Sequence, residues 1–459
     1  MQQRPTLTEI DINRDLLRPT LATPMWFYGL MMFLFLIVAG ALGAFAWAIN
    51  HGTGVYGLNR PVMWGFLLVN FVFWVGISHA GVMLSAILRL ANAEWRRPAT
   101  RAAEVLTVFA LGTAALHPLF HLGRPWRIYW SMPPGYDFGR GIWPDIRSPF
   151  VWDPTAISTY LTSTALFVGL LLIPDIAVLR DRSSGMMQRV YSMMSLGWRG
   201  NTRQWKLQII AGFLLSALIL PVFVSVHSIV SWDFAVQIAV EGWNATIFAP
   251  YFVIGAVHSG VAGVITVLAL LRWLFKWENY IRDDHFDALA RLLIVVAVGW
   301  FYFFVIEFMM GFYPNEEPEL SLRNLQLTEW PFNAAFIVFA LTAFFIPVPL
   351  WLFRKVRRNV ALMFWTTVMV NIGMWLERFL IIVPSLMRKQ VLTFNWGSYN
   401  PSPIELILVG GSFAMVFLGV LTFVKFFPII PLADAKEGAI MATEIRVGKV
   451  MVPAAYREE

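Results

Sequence analysis

Ten apolar runs, most of them longer than 20 residues, follow one another along this chain, and they constrain its fold more than any other feature. A run of that length crosses the hydrocarbon core of a bilayer as a helix. The runs lie roughly at Trp26–Ile49, Val62–Leu88, Ala99–His121, Asp153–Leu179, Trp205–Ser231, Ala249–Leu271, Asp287–Phe312, Pro331–Phe353, Asn359–Pro384 and Pro403–Phe427. Only 14% of the residues are charged, where a soluble domain carries about 25%. The expectation is an all-α polytopic membrane protein: an amino tail over 1–24, a ten-span domain over 25–430 and a carboxyl tail over 431–459.

Lysine and arginine set the orientation, because cytoplasmic loops hold an excess of them. The side carrying both termini has 26 of these residues and the other side 8. Both tails are therefore expected in the cytoplasm, and the net charge of +7 reflects those loops rather than a nucleic-acid partner. The first 23 residues are polar and lack a small-residue cleavage site, so no signal peptide is expected. The chain has no cysteine, which excludes disulfides, Cys-ligated iron–sulfur clusters and thioether-linked haem within it.

A repeat emerges from the spans. Gly76-Ile-Ser-His79-Ala-Gly81 and Gly255-Ala-Val-His258-Ser-Gly260 share the pattern G-x-x-H-x-G, four spans apart. Spans 2–5 and 6–9 then read as two parallel four-helix bundles, flanked by spans 1 and 10. The glycines beside each histidine allow helices to approach closely.

Ionisable residues in hydrocarbon are costly and mark function by default. Here they gather in an outward layer. His117 and His121 end span 3, four apart and so on one helix face. Arg124 follows. Asp153 opens span 4 beside Trp152, where Asp-Pro also suits a helix cap. His227 ends span 5, Glu307 lies in span 7, and Glu377 and Arg378 lie in span 9. His79 alone is expected deep toward the cytoplasm. Arg378 is the expected partner of Glu307. Adjacent residues on a helix point about 100° apart, so Glu377 and Arg378 need not pair. His117-x-x-x-His121 lacks a third ligand for zinc, and His79 and His121 end up too far apart to clamp one haem, so no metal is expected.

Several blocks carry a family resemblance: NFVFWVGISHAGVMLSAILRL, HLGRPW, RSPFVWDPTAISTY, SLGWRGNTRQW, SVHSIVSWDFA, TIFAPYFV, NIGMWLERFLIIVPS and WGSYNPSP. Together, over about residues 25–430, they resemble the NrfD/PsrC-like membrane subunits, and among these the larger such subunit (ActC type) of bacterial alternative complex III. The resemblance implies a protein of the bacterial inner membrane without a redox cofactor of its own. It would oxidise menaquinol or a similar quinol near the periplasmic face. It implies a peripheral periplasmic iron–sulfur subunit, a multihaem cytochrome c subunit and a second NrfD-like subunit as partners. The clusters and c-type haems sit on those partners. By matched motif, His121 and Asp153 take the catalytic role, with Arg124, His117 and Trp152 around the quinol. His79, Glu307, Glu377, Arg378 and His227 fall on a proton route. His258 has no counterpart in the resemblance. The 30 or so residues from Leu122 to Trp152 form the expected docking surface. A related protein could instead reduce quinone, and parallel repeats also occur in transporters.

Overall fold

The structure is a computed structural model, and it describes residues 7–59, 61–131, 149–388, 390–391, 393–394, 397–441, 444–447 and 450–453. Residues 132–148 of the expected docking loop, Arg147 among them, lie outside that set.

Among the described residues, sixteen helices follow in order. α1 (Glu9–Leu21) precedes the first span, α2 (Met25–His51). Spans 2 to 4 are α3 (Gly65–Leu90), α4 (Thr100–His121) and α5 (Pro149–Arg182). A short α6 (Gly185–Met194) leads to α7 (Thr202–Trp232). Spans 6 and 7 are α8 (Phe248–Phe275) and α9 (Asp283–Phe312). α10 (Glu317–Thr328) then leads to span 8, which is α11 (Phe332–Ala340) and α12 (Pro347–Trp351). α13 (Arg354–Arg357), α14 (Val360–Met387), α15 (Pro403–Phe426) and α16 (Leu432–Met441) complete the series. Ten of the described helical segments are long and apolar enough to cross a membrane. They match the ten apolar runs in order.

Backbone polar groups have no water to bond in hydrocarbon, so each span must satisfy its own. Where proline removes a donor, the helix adjusts. Pro347 and Pro349 follow a π-helical turn over Leu341–Phe345 that divides α11 from α12. A second π turn, Asp233–Ile238, continues α7 beyond Trp232.

α3 packs on α4 and α7, and α5 packs on both α4 and α7, closing a ring of four. α8 packs on α9 and α14, with the α11–α12 span between α9 and α14. α3 and α8 form the seam between these groups, and small residues set its width. A Cβ on Gly76 would meet the Ala256 Cα at 3.5 Å, and one on Gly260 would overlap the Ala80 Cβ at 2.2 Å. α15 lies against α2 and α4 outside the ring.

The WGSYNPSP block fastens the outer ends. Glu405, at the start of α15, accepts from the Leu67 N–H at 3.2 Å and from the Tyr399 hydroxyl. Tyr399 in turn accepts from the Phe66 N–H at 2.9 Å. These bonds satisfy the free donors at the α3 N-terminus. Burial and the adjacent Glu405 raise the Tyr399 pKa above its ordinary value, so the hydroxyl keeps its proton and donates.

At the opposite face, basic residues counted as loop charges turn out to be buried. Arg101 pairs with Asp175 and donates to the Leu171 carbonyl at 2.8 Å. Asp175 also accepts from the Leu432 N–H at 3.0 Å, which docks the start of the carboxyl tail. α1 packs against α15 and α16, and the Thr20 hydroxyl donates to Val424 O at 3.1 Å. Both tails thus begin as packed helices.

Candidate functional site

The end of α4 carries the first group. Pro118 lacks an N–H, and Gly123 turns the chain at φ +62°. Thr53 closes on that turn, since a Cβ on Gly123 would lie 2.8 Å from its methyl. A cavity of about 620 Å³ opens here, lined by Gly52, Thr53, His121, Gly123, Arg124 and Arg127. The His121 Nε2 is buried and has no hydrogen-bond partner among the described residues. Arg124 is exposed at the rim.

His117 differs. Its Nδ1–H donates to the Thr113 carbonyl at 2.8 Å, and its Nε2 accepts from the Asn70 amide at 3.0 Å. Asn70 also donates to Ser412 on α15 at 2.7 Å. Both ring nitrogens are used, so His117 holds a fixed neutral tautomer and positions the helix end. In this arrangement it offers no free base. Trp152 stays partly exposed, at 36%.

Asp153, one turn into α5, has a different neighbour from the one its sequence position suggests. Its carboxyl adjoins that of Asp233 on the π turn of α7. Apart from each other's carboxyl, no donor among the described residues reaches Asp153 Oδ1 or either oxygen of Asp233. No hydrogen bond joins Asp153 to His121 among the described residues, although α4 and α5 pack together. Asp233 is the residue that reasoning from sequence missed. Its signal is there in SVHSIVSWDFA, an acid directly after an apolar run, but only the π turn shows that it faces inward.

The second group spans the seam and the second ring. Four expectations change. Glu307 pairs with Arg323 of α10 at 3.6 Å, not with Arg378. α10 returns across the outer end of α9, a path invisible in an amphipathic 12-residue segment. Glu377 and Arg378 do pair, at 3.0 Å. Their helix positions diverge, but the long guanidinium stem folds back over the Phe252 ring at 4.4 Å. Glu377 also accepts from Trp300 at 2.9 Å and from the Tyr251 hydroxyl.

His79 is not isolated. Its ring meets His227 at 4.6 Å and stacks on Tyr160 at 4.7 Å. The apolar pattern stops span 5 at Ser231, whereas the π turn carries α7 on to Ile238. That extension sets His227 deeper, level with the middle of α3. His227 Nε2 bonds the Phe252 carbonyl at 3.1 Å. His258 rests against Trp300 at 5.2 Å with both ring nitrogens unpartnered. A chamber of about 30 Å³ lies between Glu307, Arg323, Gln326, Tyr251 and Glu377. That is room for about two waters. Glu307 Oε2 has no hydrogen-bond partner there, and Glu377 Oε2 meets Arg378 as a charge contact without hydrogen-bond alignment.

Among the described residues no three His, Asp or Glu side chains are grouped to hold a metal ion.

Comparison with known proteins gives a consistent picture. Residues 54–389 match the family described as "Polysulphide reductase, NrfD". A Halobacterium salinarum protein, provisionally assigned as a membrane subunit of dimethyl sulfoxide reductase, is 24% identical, covering 90% of this chain and 93% of its own. The Hdr-like menaquinol oxidoreductase integral membrane subunit of Archaeoglobus fulgidus is 21% identical, covering 88% and 94%. A selenate reductase subunit from Mesobacillus selenatarsenatis is 20% identical over 61% of this chain and 64% of its own.

Proposed function

The chain belongs to the NrfD family, and from that premise we propose that it is the quinol-oxidising membrane subunit of an oxidoreductase of the alternative complex III type. The observation that carries the reading is His121, which lines a cavity of about 620 Å³ and keeps a buried Nε2 without a hydrogen-bond partner among the described residues. Oxidation of a quinol releases two electrons and two protons. The imidazole of His121 is the candidate acceptor for one of these protons, through its free ring nitrogen. The adjoining carboxyls of Asp153 and Asp233 form a second base, one that holds a proton between two oxygens. Arg124 at the rim attracts an anionic headgroup or a partner.

On the family resemblance the chain carries no redox cofactor of its own and hands both electrons to a partner. An iron–sulfur subunit on the periplasmic side fits that need, with a multihaem cytochrome c beyond it and a second NrfD-like subunit alongside. The 26-to-8 basic asymmetry favours the bacterial inner membrane with both termini in the cytoplasm. Protons from the site then leave on the outer side. The line His79–His227–Arg378–Glu377–Glu307 supports a second proton route, since the small chamber between its last members has room for about two waters.

The reductase names of two relatives favour a second reading, in which the same pocket reduces quinone. The bases serve both directions, and the potential of the partner chooses. Binding of a fluorescent hydroxyquinoline analogue of the quinol ring tests the site in either case. Quenching is expected with the parent protein and its loss with His121→Gln. Equal quenching in both would remove the site from α4.

A further inference from the structure

The block SLGWRGNTRQW has no part in the quinol site. It joins α6 to α7 at the end of the bundle away from His121. Gly200 turns the chain at φ +73°, and its N–H, with that of Arg199, donates to Gln204 Oε1 at 3.0 and 2.9 Å. Asn201 caps α7 by accepting from the Gln204 N–H at 2.9 Å. The N–H groups of Thr202 and Arg203 point out of the first turn with no intrahelical acceptor.

Two tryptophans converge on this turn. A Cβ on Gly200 would lie 3.8 Å from the Nε1 of Trp198 and 3.8 Å from that of Trp205. Their rings meet edge to face at 5.1 Å. Trp198 is only 9% exposed, and its indole N–H has no acceptor among the described residues. Arg199 and Arg203 flank the turn, are exposed and form no ion pair among the described residues. Two indole donors thus converge on Gly200, with the exposed Arg199 and Arg203 and the helix N-terminus next to them in the chain, and groups of these kinds bind an acceptor or an anion.

The surroundings choose among anions. Leu207, Ile210 and Leu214 follow along one face of α7, all exposed to the space beside the bundle. Met193 and Leu196 of the α6 connection are exposed on the near side. These residues form a lipid-facing stripe on the membrane-crossing α7, beginning at its N-terminal end.

We propose that Trp198, Arg199, Arg203, Trp205 and the α7 N-terminus form a binding site for the phosphate of an anionic phospholipid, whose acyl chain lies along Leu207, Ile210 and Leu214. The phosphate oxygens accept from the two indoles and the Thr202 and Arg203 amides, while the arginines neutralise the charge.

The test is native mass spectrometry of the full chain released from nanodiscs containing phosphatidylglycerol or phosphatidylcholine with identical tails. The parent protein should retain phosphatidylglycerol roughly tenfold better. Trp198→Phe, which keeps the ring and removes the N–H, should cut that retention about fivefold. Arg199→Gln with Arg203→Gln should abolish the preference. Both arginines are exposed, so this variant folds even where the tryptophan change does not. Equal retention of the two lipids, or unchanged retention in both variants, would overturn the proposal. Loss of bound phosphatidylglycerol to excess inorganic phosphate would assign the site to free phosphate instead.

Discussion

The outer ends of the two helical rings are built from similar parts and do opposite things with them. In the first, His121, Asp153 and Asp233 keep buried polar atoms without a hydrogen-bond donor among the described residues, and His121 lines an open cavity of about 620 Å³. In the second, each acid has an arginine: Glu307 with Arg323, Glu377 with Arg378. The space between them is about 30 Å³. On the proposed reading the quinol ring takes the larger space of the first, and the paired charges of the second leave room for about two waters. The lesson is that depth and residue type do not separate a substrate site from a charge relay. Pairing and volume do.

The strongest way to break this comparison is to neutralise an acid on each side. Asp153→Asn keeps the volume and the capping ability of the helix start. Quinol turnover should fall roughly 10²- to 10⁴-fold, the range for a lost general base, with assembly intact. Asp233→Asn should fall in the same range, because the two carboxyls act as one base. Steady-state quinol oxidation by the purified complex measures both. Normal turnover in Asp153→Asn would leave it as a cap alone and return the site to His121.

The second test concerns the closed end. Removing one member of a buried pair leaves a bare charge and costs about 3 kcal/mol or more. Arg323→Gln should therefore lower thermal stability more than the double change Glu307→Gln with Arg323→Gln. A cycle of Glu307 with Arg378 should be additive within about 0.5 kcal/mol. Coupling to Arg378 and none to Arg323 would restore the pairing that sequence position suggests.

Much of this was legible in the sequence, and the failures share a cause. Ten apolar runs became ten crossing segments because hydrocarbon thickness fixes their length. His121 and Asp153 stood out because a titratable group at a helix end near Pro or Gly is visible in one dimension. Partners were not visible. Arg323 reaches Glu307 through a surface helix whose path depends on tertiary packing. Asp233 turns inward through a π turn, a backbone choice without a clear local signature. Tyr160 and His227 meet His79 only because α5 and α7 enclose α3. Asn70 and Ser412, which hold His117, read as ordinary small polar residues on apolar helices.

That last pair gives two smaller tests. Asn70→Ala removes the donor to His117 Nε2 and leaves a buried ring nitrogen unsatisfied, a cost of about 1–3 kcal/mol. If His117 only positions the α4 end, thermal stability should drop and the KM for quinol should rise several-fold. The pH profile of turnover should keep its shape. A shifted profile would make His117 a working base after all.

Ser412→Ala sharpens the same point with the smallest expected effect. The serine hydroxyl accepts from Asn70 at 2.7 Å and from Trp74 at 2.9 Å, and donates to the Val409 carbonyl at 2.6 Å. Its loss leaves the Asn70–His117 bond in place, because the amide carries two hydrogens and only one is released. Net hydrogen-bond contributions are about 0.5–1.5 kcal/mol, so a modest fall in melting temperature is expected. The quinol KM should stay within about twofold of the parent, since nothing touching His117 is removed. Comparison with Asn70→Ala then isolates the histidine. Equal kinetic damage from both substitutions would mean that α15 itself, through its packing on α3, sets the geometry of the open end.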